Sequence, residues 1–109
     1  MEERRRYQRI YVQRHAGEYD CNIEMNGKNY YATLLDIGAG GARFSVKDAP
    51  DYDMYGQYGV VKNDHYDLPY ILSMNYKVAW NYGDEIGVAF SDLLDEDYET
   101  LNNYYTSYS

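Results

Sequence analysis

The side chains of this sequence that are best suited to bind an anion lie within its first 14 residues. Five arginines stand there beside two glutamates, which gives residues 1–14 a net charge of +3 in a 109-residue chain of net charge −8. Arg5 and Arg9 form an R-x-x-x-R pair, and a guanidinium fork can bond a phosphate through two donors. An arginine-rich terminus can also be a solvated tail. The segment is therefore either such a tail or an anion-binding arm.

A second group of residues suited to ligand contact lies around Asp36. Its carboxylate only accepts hydrogen bonds, which suits the N1–H and N2–H₂ donors of guanine, although an Asp before glycines usually bonds turn amides. Gly38, Gly40 and Gly41 permit positive φ and close approach to a ligand, but a tight turn or bulge needs them equally. Arg43 either reaches the ligand or is a solvated strand residue, and solvation is the simpler interpretation.

The middle of the chain has the pattern of antiparallel strands. Residues 19–25 alternate apolar and polar side chains, Asn26-Gly27 is a strong hairpin signal, and residues 28–37 form the return strand. We predict further strands over residues 42–46, 57–62, 70–80 and 85–90. About six short strands at hairpin spacing predict a small closed barrel.

The end of the chain changes to a helical pattern. The acidic residues 95–97 suit the positive end of a helix dipole, and apolar residues recur every three to four positions, at Leu94, Tyr98, Leu101 and Tyr105. We therefore predict an all-β domain over residues 15–109, with a C-terminal helix from about residue 94. Residues 1–14 are predicted to form a flexible arm.

Composition narrows the classes of function. Cys21 is the only cysteine, so an internal disulfide is impossible, and a reducing compartment is expected. No apolar run suggests a signal peptide or a membrane span, so we predict a cytoplasmic protein that does not insert into membranes. The residues after position 14 carry a net charge of −11, which argues against nucleic-acid binding.

Catalytic and metal-binding patterns are weak in this sequence. His15, His65 and Cys21 show no tight ligand spacing, and no nucleophile elbow, P-loop or zinc-protease motif is present. The acidic residues 95–97 are better explained as a helix start than as an acid–base pair. Trp80 is expected to pack in the core or on a strand. We predict that the protein is not an enzyme and has neither a cofactor nor a metal.

The two motifs, taken together and in this order, resemble the PilZ domain family. That family shows an RxxxR motif near its start and a [D/N]-x-S-x-x-G motif about two strands later, and Asp36 and Gly41 match the ends of the second motif. The V-A-W of residues 78–80, the I-G-V-A-F of residues 86–90 and an acidic helix are similar to the family's closing hairpin and helix. The resemblance is weakest over residues 47–69.

The resemblance implies a six-stranded barrel in a bacterial receptor for the second messenger cyclic di-GMP. It implies ligand contacts from two sets of residues, the first comprising Arg5, Arg9, Asp36, Gly38 and Gly41, and the second, less secure, comprising Arg4, Arg6, Gly40 and Arg43. Gly38 stands where the family has serine, and one lost hydrogen bond costs about 0.5–1.5 kcal/mol, or up to roughly tenfold in affinity. In the resembled family, an arginine just before the motif, where Arg4 stands here, tends to accompany binding of a stacked ligand pair. The resemblance therefore implies one or two molecules per domain.

The expected mechanism is a conformational switch. Cyclic di-GMP offers phosphates and guanines, and arginine can pair with guanine O6 and N7 or stack on a purine. Binding would order residues 1–10 against the Asp36 turn and change the surface offered to an unidentified partner protein. One alternative is a PilZ-like adaptor that binds only protein. Another is a small barrel that stacks single-stranded nucleic acid on its tyrosines, which the acidic body disfavours.

Overall fold

The computed structural model describes residues 9–11, 21–62, 71–94 and 98–106. Within these residues the chain forms seven strands and one helix: β1 (Ile10–Tyr11), β2 (Cys21–Met25), β3 (Lys28–Gly38), β4 (Gly41–Val46), β5 (Tyr58–Lys62), β6 (Asn75–Tyr82), β7 (Glu85–Phe90) and α1 (Tyr98–Thr106). In this part of the chain, no helix has the length and apolar content needed to cross a bilayer.

Six of the strands close into an antiparallel barrel. The order of neighbours is β3-β2-β5-β6-β7-β4, and β4 pairs back with β3 to complete the ring. Strand β1 is an additional strand that pairs with β3 through Ile10 and Tyr11. The prediction of a six-stranded antiparallel barrel with a C-terminal helix is confirmed.

The hairpin between β2 and β3 shows how the local sequence sets the register. Asn26 and Gly27 both have positive φ, 53° and 85°, which is the backbone of the tight turn that an Asn-Gly pair favours. Met25 and Lys28 are therefore directly paired, and Ile23 pairs with Tyr30. The hairpin predicted from this dipeptide is confirmed.

The barrel interior is filled by one face of each strand. Along β2 the buried residues alternate with partly exposed ones, as the sequence pattern predicts. Met54, Ile71 and Leu101 add buried side chains from outside the strands. Because α1 packs against β1, Leu101 lies on the side of the barrel where the N-terminal strand is attached.

The strand predicted over residues 70–80 is wrong at its beginning. Residues 71–73 form a turn in which Ser73 has a positive φ of 68°, and β6 begins at Asn75 and continues to Tyr82. Ile71 is nevertheless fully buried. An apolar residue can enter the core from a turn as well as from a strand, so hydrophobicity alone places the start of β6 too early.

Two irregularities break the alternation of the strands. The register of β3 against β4 shifts between Leu34 and Asp36, and that of β6 against β7 shifts between Val78 and Trp80. Such a bulge inserts one extra residue and turns the side chains that follow to the opposite face. Both bulges lie in strands that contribute residues to the candidate site.

Candidate functional site

The turn between β3 and β4 forms one edge of the site. Gly38 pairs with Gly41 across the hairpin. The N–H of Phe90 donates to the carbonyl oxygen of Gly40 at 2.9 Å, and the N–H of Leu94 donates to that of Ala39 at the same distance. The turn is thus fixed by the end of β7 and the segment that follows it.

Close packing of the backbone explains Gly41. It pairs with Ala89 on β7, and a Cβ at this position would collide with the backbone carbonyl oxygen of Val88. The glycines with positive φ in the described ranges are Gly27, Gly56 and Gly83. The motif glycines thus do not adopt the positive φ that glycine permits, and the close approach of two strands is the reason for Gly41.

The bulge in β3 brings Asp36 to the outer face of the barrel. Leu34 and Ile37 are both fully buried, although they are three residues apart, which regular alternation does not allow. The register shift between them puts both in the core and leaves Asp36 opposite Arg43 on β4. A carboxylate in this segment can therefore face arginines instead of the apolar interior.

Asp36 is held by two arginines. Arg9 Nη1 donates to Asp36 Oδ1 at 2.8 Å, and Arg43 Nε donates to Asp36 Oδ2 at 2.8 Å. The side chain of Asp36 is only 6% exposed, while those of Arg43 and Arg9 are 30% and 48% exposed. The carboxylate thus acts as an anchor, and Arg9 has room to contact a ligand as well.

Arg43 continues the chain of charges to a fourth residue. Its Nη1 donates to Glu85 Oε1 on β7 at 2.9 Å. The hydrogen bond to Asp36 raises the pKa of Arg43 above its ordinary value, so the guanidinium stays charged. Arg43 is therefore not a purely solvated strand residue, because its side chain bonds both Asp36 and Glu85.

A cavity of about 440 Å³ lies between the β3–β4 turn and strands β6 and β7. It is lined by the turn glycines, by one arginine, by short side chains of the sheet and by two larger apolar ones: Arg9, Gly38, Gly40, Gly41, Ala79, Trp80, Gly87, Val88, Ala89 and Leu93. The structure therefore brings the Arg9 and glycine-turn parts of the predicted site to one place.

Trp80 lies on a strand, as predicted, but it also lines this cavity, which was not predicted. The bulge between Val78 and Trp80 puts the indole on the outer face, where it is 40% exposed and packs against Gly87 of β7. A Cβ at Gly87 would collide with the indole ring. Gly87 is the signal that could have revealed this, because a glycine opposite an aromatic residue on the next strand is often covered by the ring.

Three predicted site residues, Arg4, Arg5 and Arg6, lie outside the described residues. Arg9 is therefore the member of the R-x-x-x-R pair that the structure describes. Residues 9–11 are the described part of the predicted N-terminal arm, and Ile10 is 2% exposed in the core. Arg9 is thus attached directly to a buried position of the barrel.

Metal binding finds no support in the described residues. No three of their histidine, cysteine, aspartate and glutamate side chains come together as a possible metal site. His15 and His65 lie outside these residues. What the described site offers is a guanidinium, backbone groups of a glycine turn and an aromatic face beside an apolar wall. These groups suit a flat anionic ligand, since a guanidinium can pair with a negative group and an aromatic face can stack on a flat ring.

Comparison with known protein families gives a match. The family model described as PilZ domain matches residues 3–107. No curated protein is significantly similar to the chain.

Proposed function

Since the chain belongs to the PilZ domain family, a family of cyclic di-GMP receptors, we propose that it binds cyclic di-GMP in the cavity beside the β3–β4 turn. The observation that carries the proposal is Arg9, which lines this cavity and is oriented by the buried carboxylate of Asp36. An oriented guanidinium has lost part of its rotational freedom before binding, which favours the bound state.

Each wall of the cavity has a role in this proposal. Arg9 pairs with a phosphate or with guanine O6 and N7, as its planar fork allows. Trp80 offers a flat ring on which a guanine can stack. Gly40 lines the cavity and has no side chain that would keep the ligand away from the backbone. Asp36 holds the arginines in this proposal, and reading the guanine edge is a secondary role.

The residues before Arg9 complete the proposed site. Arg5 supplies the second fork of the R-x-x-x-R pair, Arg6 adds positive charge, and Arg4 contacts a second, stacked ligand molecule. One or two molecules of cyclic di-GMP then bridge the N-terminal segment and the barrel. We propose that this changes the surface offered to a partner protein in the bacterial cytoplasm.

Calorimetric titration with cyclic di-GMP tests the proposal. Arg9→Ala should weaken binding by about ten- to a hundredfold, since a hydrogen bond to a charged group contributes about 1.5–3 kcal/mol. Lys62→Ala is the matched control, because Lys62 is also about half exposed and pairs with an acidic residue, Glu24, at 3.1 Å. Its affinity should equal that of the wild type. GMP and cyclic di-AMP in the same series measure specificity.

Fluorescence supplies an independent measurement. Trp80 is the only tryptophan of the chain and lines the cavity, so its emission should change as the ligand binds. Wild-type affinity in Arg9→Ala, or a bound ligand that leaves the emission unchanged, would contradict the assignment of this cavity.

A second candidate function is a PilZ-type adaptor that binds protein without nucleotide. Gly38 favours it, because this position lacks the hydroxyl that the family motif carries. A wild-type chain that shows no heat of binding and no fluorescence change with cyclic di-GMP would select this alternative.

A further inference from the structure

The chain of charges that starts at Arg9 ends on a residue outside the cavity. Arg43 donates through Nε to Asp36 and through Nη1 to Glu85. Arg43 on β4 pairs with Gly87 on β7, and Glu85 lies two residues before Gly87. The side chains of Arg43 and Glu85 are therefore diagonal neighbours on adjacent strands. Glu85 does not line the cavity. Glu85 can therefore act on a ligand there only through its charge at a distance or through other residues.

The four charges are balanced only when Glu85 is included. Asp36 accepts from two guanidiniums, and a single carboxylate neutralises one of them. Glu85 supplies the second negative charge. Glu85 also accepts a hydrogen bond from Nη1 of Arg43, and Arg43 bonds Oδ2 of Asp36 through its Nε. Oδ1 of Asp36 is thereby available to Arg9.

Removal of Glu85 should redistribute these bonds. Glu85 would no longer fix Nη1 of Arg43, so the guanidinium could shift along Asp36. The most favourable arrangement is then a bidentate pair in which Nε and Nη2 of Arg43 bond both oxygens of Asp36. That pair competes with Arg9 for Oδ1. Arg9 would then lose the contact that fixes its orientation at the cavity wall.

We propose that Glu85 is a positioning residue for ligand binding, which acts through Arg43 and Asp36 to hold the guanidinium of Arg9 at the cavity. The inference rests on the proposed function, because the position of Arg9 affects binding only if a ligand occupies this cavity. Loss of a negative charge by itself would strengthen binding of an anion. A weaker affinity in a folded Glu85 variant therefore reports lost positioning.

The first test is titration with cyclic di-GMP. Glu85→Ala should bind about fivefold more weakly, an effect of the size usual for coupling between sites. Glu85→Gln keeps an oxygen acceptor for Arg43, so its affinity should lie closer to that of the wild type. Glu24→Ala is the control: its side chain is 35% exposed against 39% for Glu85, and it also pairs with a cation, Lys62. It should bind like the wild type.

The second test needs no ligand and uses the side-chain nitrogen resonances of Arg9. In the wild type the bond to Asp36 should slow rotation of the guanidinium, and Glu85→Ala should speed it while Glu24→Ala should not. Unchanged Arg9 signals in Glu85→Ala would overturn the inference, as would unchanged affinity in a chain that binds. If the wild type does not bind cyclic di-GMP but Arg9 is released in Glu85→Ala, the proposed function fails and the positioning role of Glu85 stands.

Discussion

Strand β4 has a cavity at each end, and the two cavities differ in the sign of their charge. At the Gly41 end lies the candidate site of about 440 Å³, with Arg9 on its wall. At the Val46 end lies a larger cavity of about 1020 Å³. We call it the acidic cavity, because its lining includes four carboxylates, from Asp48, Asp51, Asp53 and Asp84.

The larger of the two cavities is the less suitable one for an anionic ligand. The phosphates of cyclic di-GMP would be repelled by the carboxylates of the acidic cavity and attracted by the arginine of the smaller one. The net charge of −8 does not by itself argue against an anionic ligand, because four of the carboxylates line the cavity at the opposite end of β4. The charges at the two ends of β4 therefore favour an anionic ligand at the Gly41 end.

The largest expected effect comes from the carboxylate that anchors the arginines. Asp36→Asn keeps the shape of the side chain but leaves Arg9 and Arg43 without its negative charge. Stability should fall by about 1–3 kcal/mol, an estimate kept modest because both arginines are partly exposed, and cyclic di-GMP binding should weaken more than tenfold. Urea unfolding and calorimetry measure the two effects.

Asp51→Asn is the matched control in the acidic cavity. Asp51 is exposed, so stability should change by less than about 0.5 kcal/mol. Equal losses of stability in Asp36→Asn and Asp51→Asn would contradict the distinction drawn between the two ends.

An intermediate effect is expected at Gly38, where the family motif has serine. Gly38→Ser restores a hydroxyl at the edge of the site and should strengthen binding of cyclic di-GMP by up to roughly tenfold. Gly38→Ala is its control, since it adds the Cβ without the hydroxyl. If alanine strengthens binding as much as serine does, backbone stiffening and not a hydrogen bond is the cause.

The smallest effect is expected from the acidic cavity itself. Val46 and Gly41 are five residues apart on β4, about 17 Å, which is roughly twice the screening length of 8 Å at physiological salt. The double variant Asp48→Asn with Asp51→Asn should therefore change the affinity less than about twofold. At 0.01 M salt the screening length rises to about 30 Å, and binding should become measurably tighter than in the wild type. A large effect at physiological salt would show that the two ends are coupled by more than charge.

Local patterns predicted much of the barrel. The Asn26-Gly27 turn and the strand over residues 85–90 could be read directly, because each depends on neighbours in sequence. The positions of the bulges could not, since a register shift is set by the partner strand. Asp36 and Trp80 both follow a bulge, so only the structure shows on which face of the sheet each side chain lies.

The candidate site was predictable in its residue types but not in its contacts. Arg9, Asp36 and the motif glycines follow from their residue types and from the resemblance to the PilZ motifs, and the structure brings Arg9 to Asp36. Glu85 could not have been found, because nothing in its local sequence refers to Arg43, which lies 42 positions away. Long-range ion pairs of this kind depend on how β4 and β7 are placed side by side.

The two-residue pairing of β1 has a consequence for hydrogen exchange. Ile10 and Tyr11 are the paired residues of β1, whereas β3 has partners along both of its edges. A segment with so few pairings opens at a lower free energy than the closed ring, and its amides exchange first. Because Arg9 directly precedes this strand, a strand that is less protected than those of the ring is also the one next to the charged group of the site. A bound ligand that spans Arg9 and the barrel would slow exchange at Tyr11 before it affected any strand of the ring.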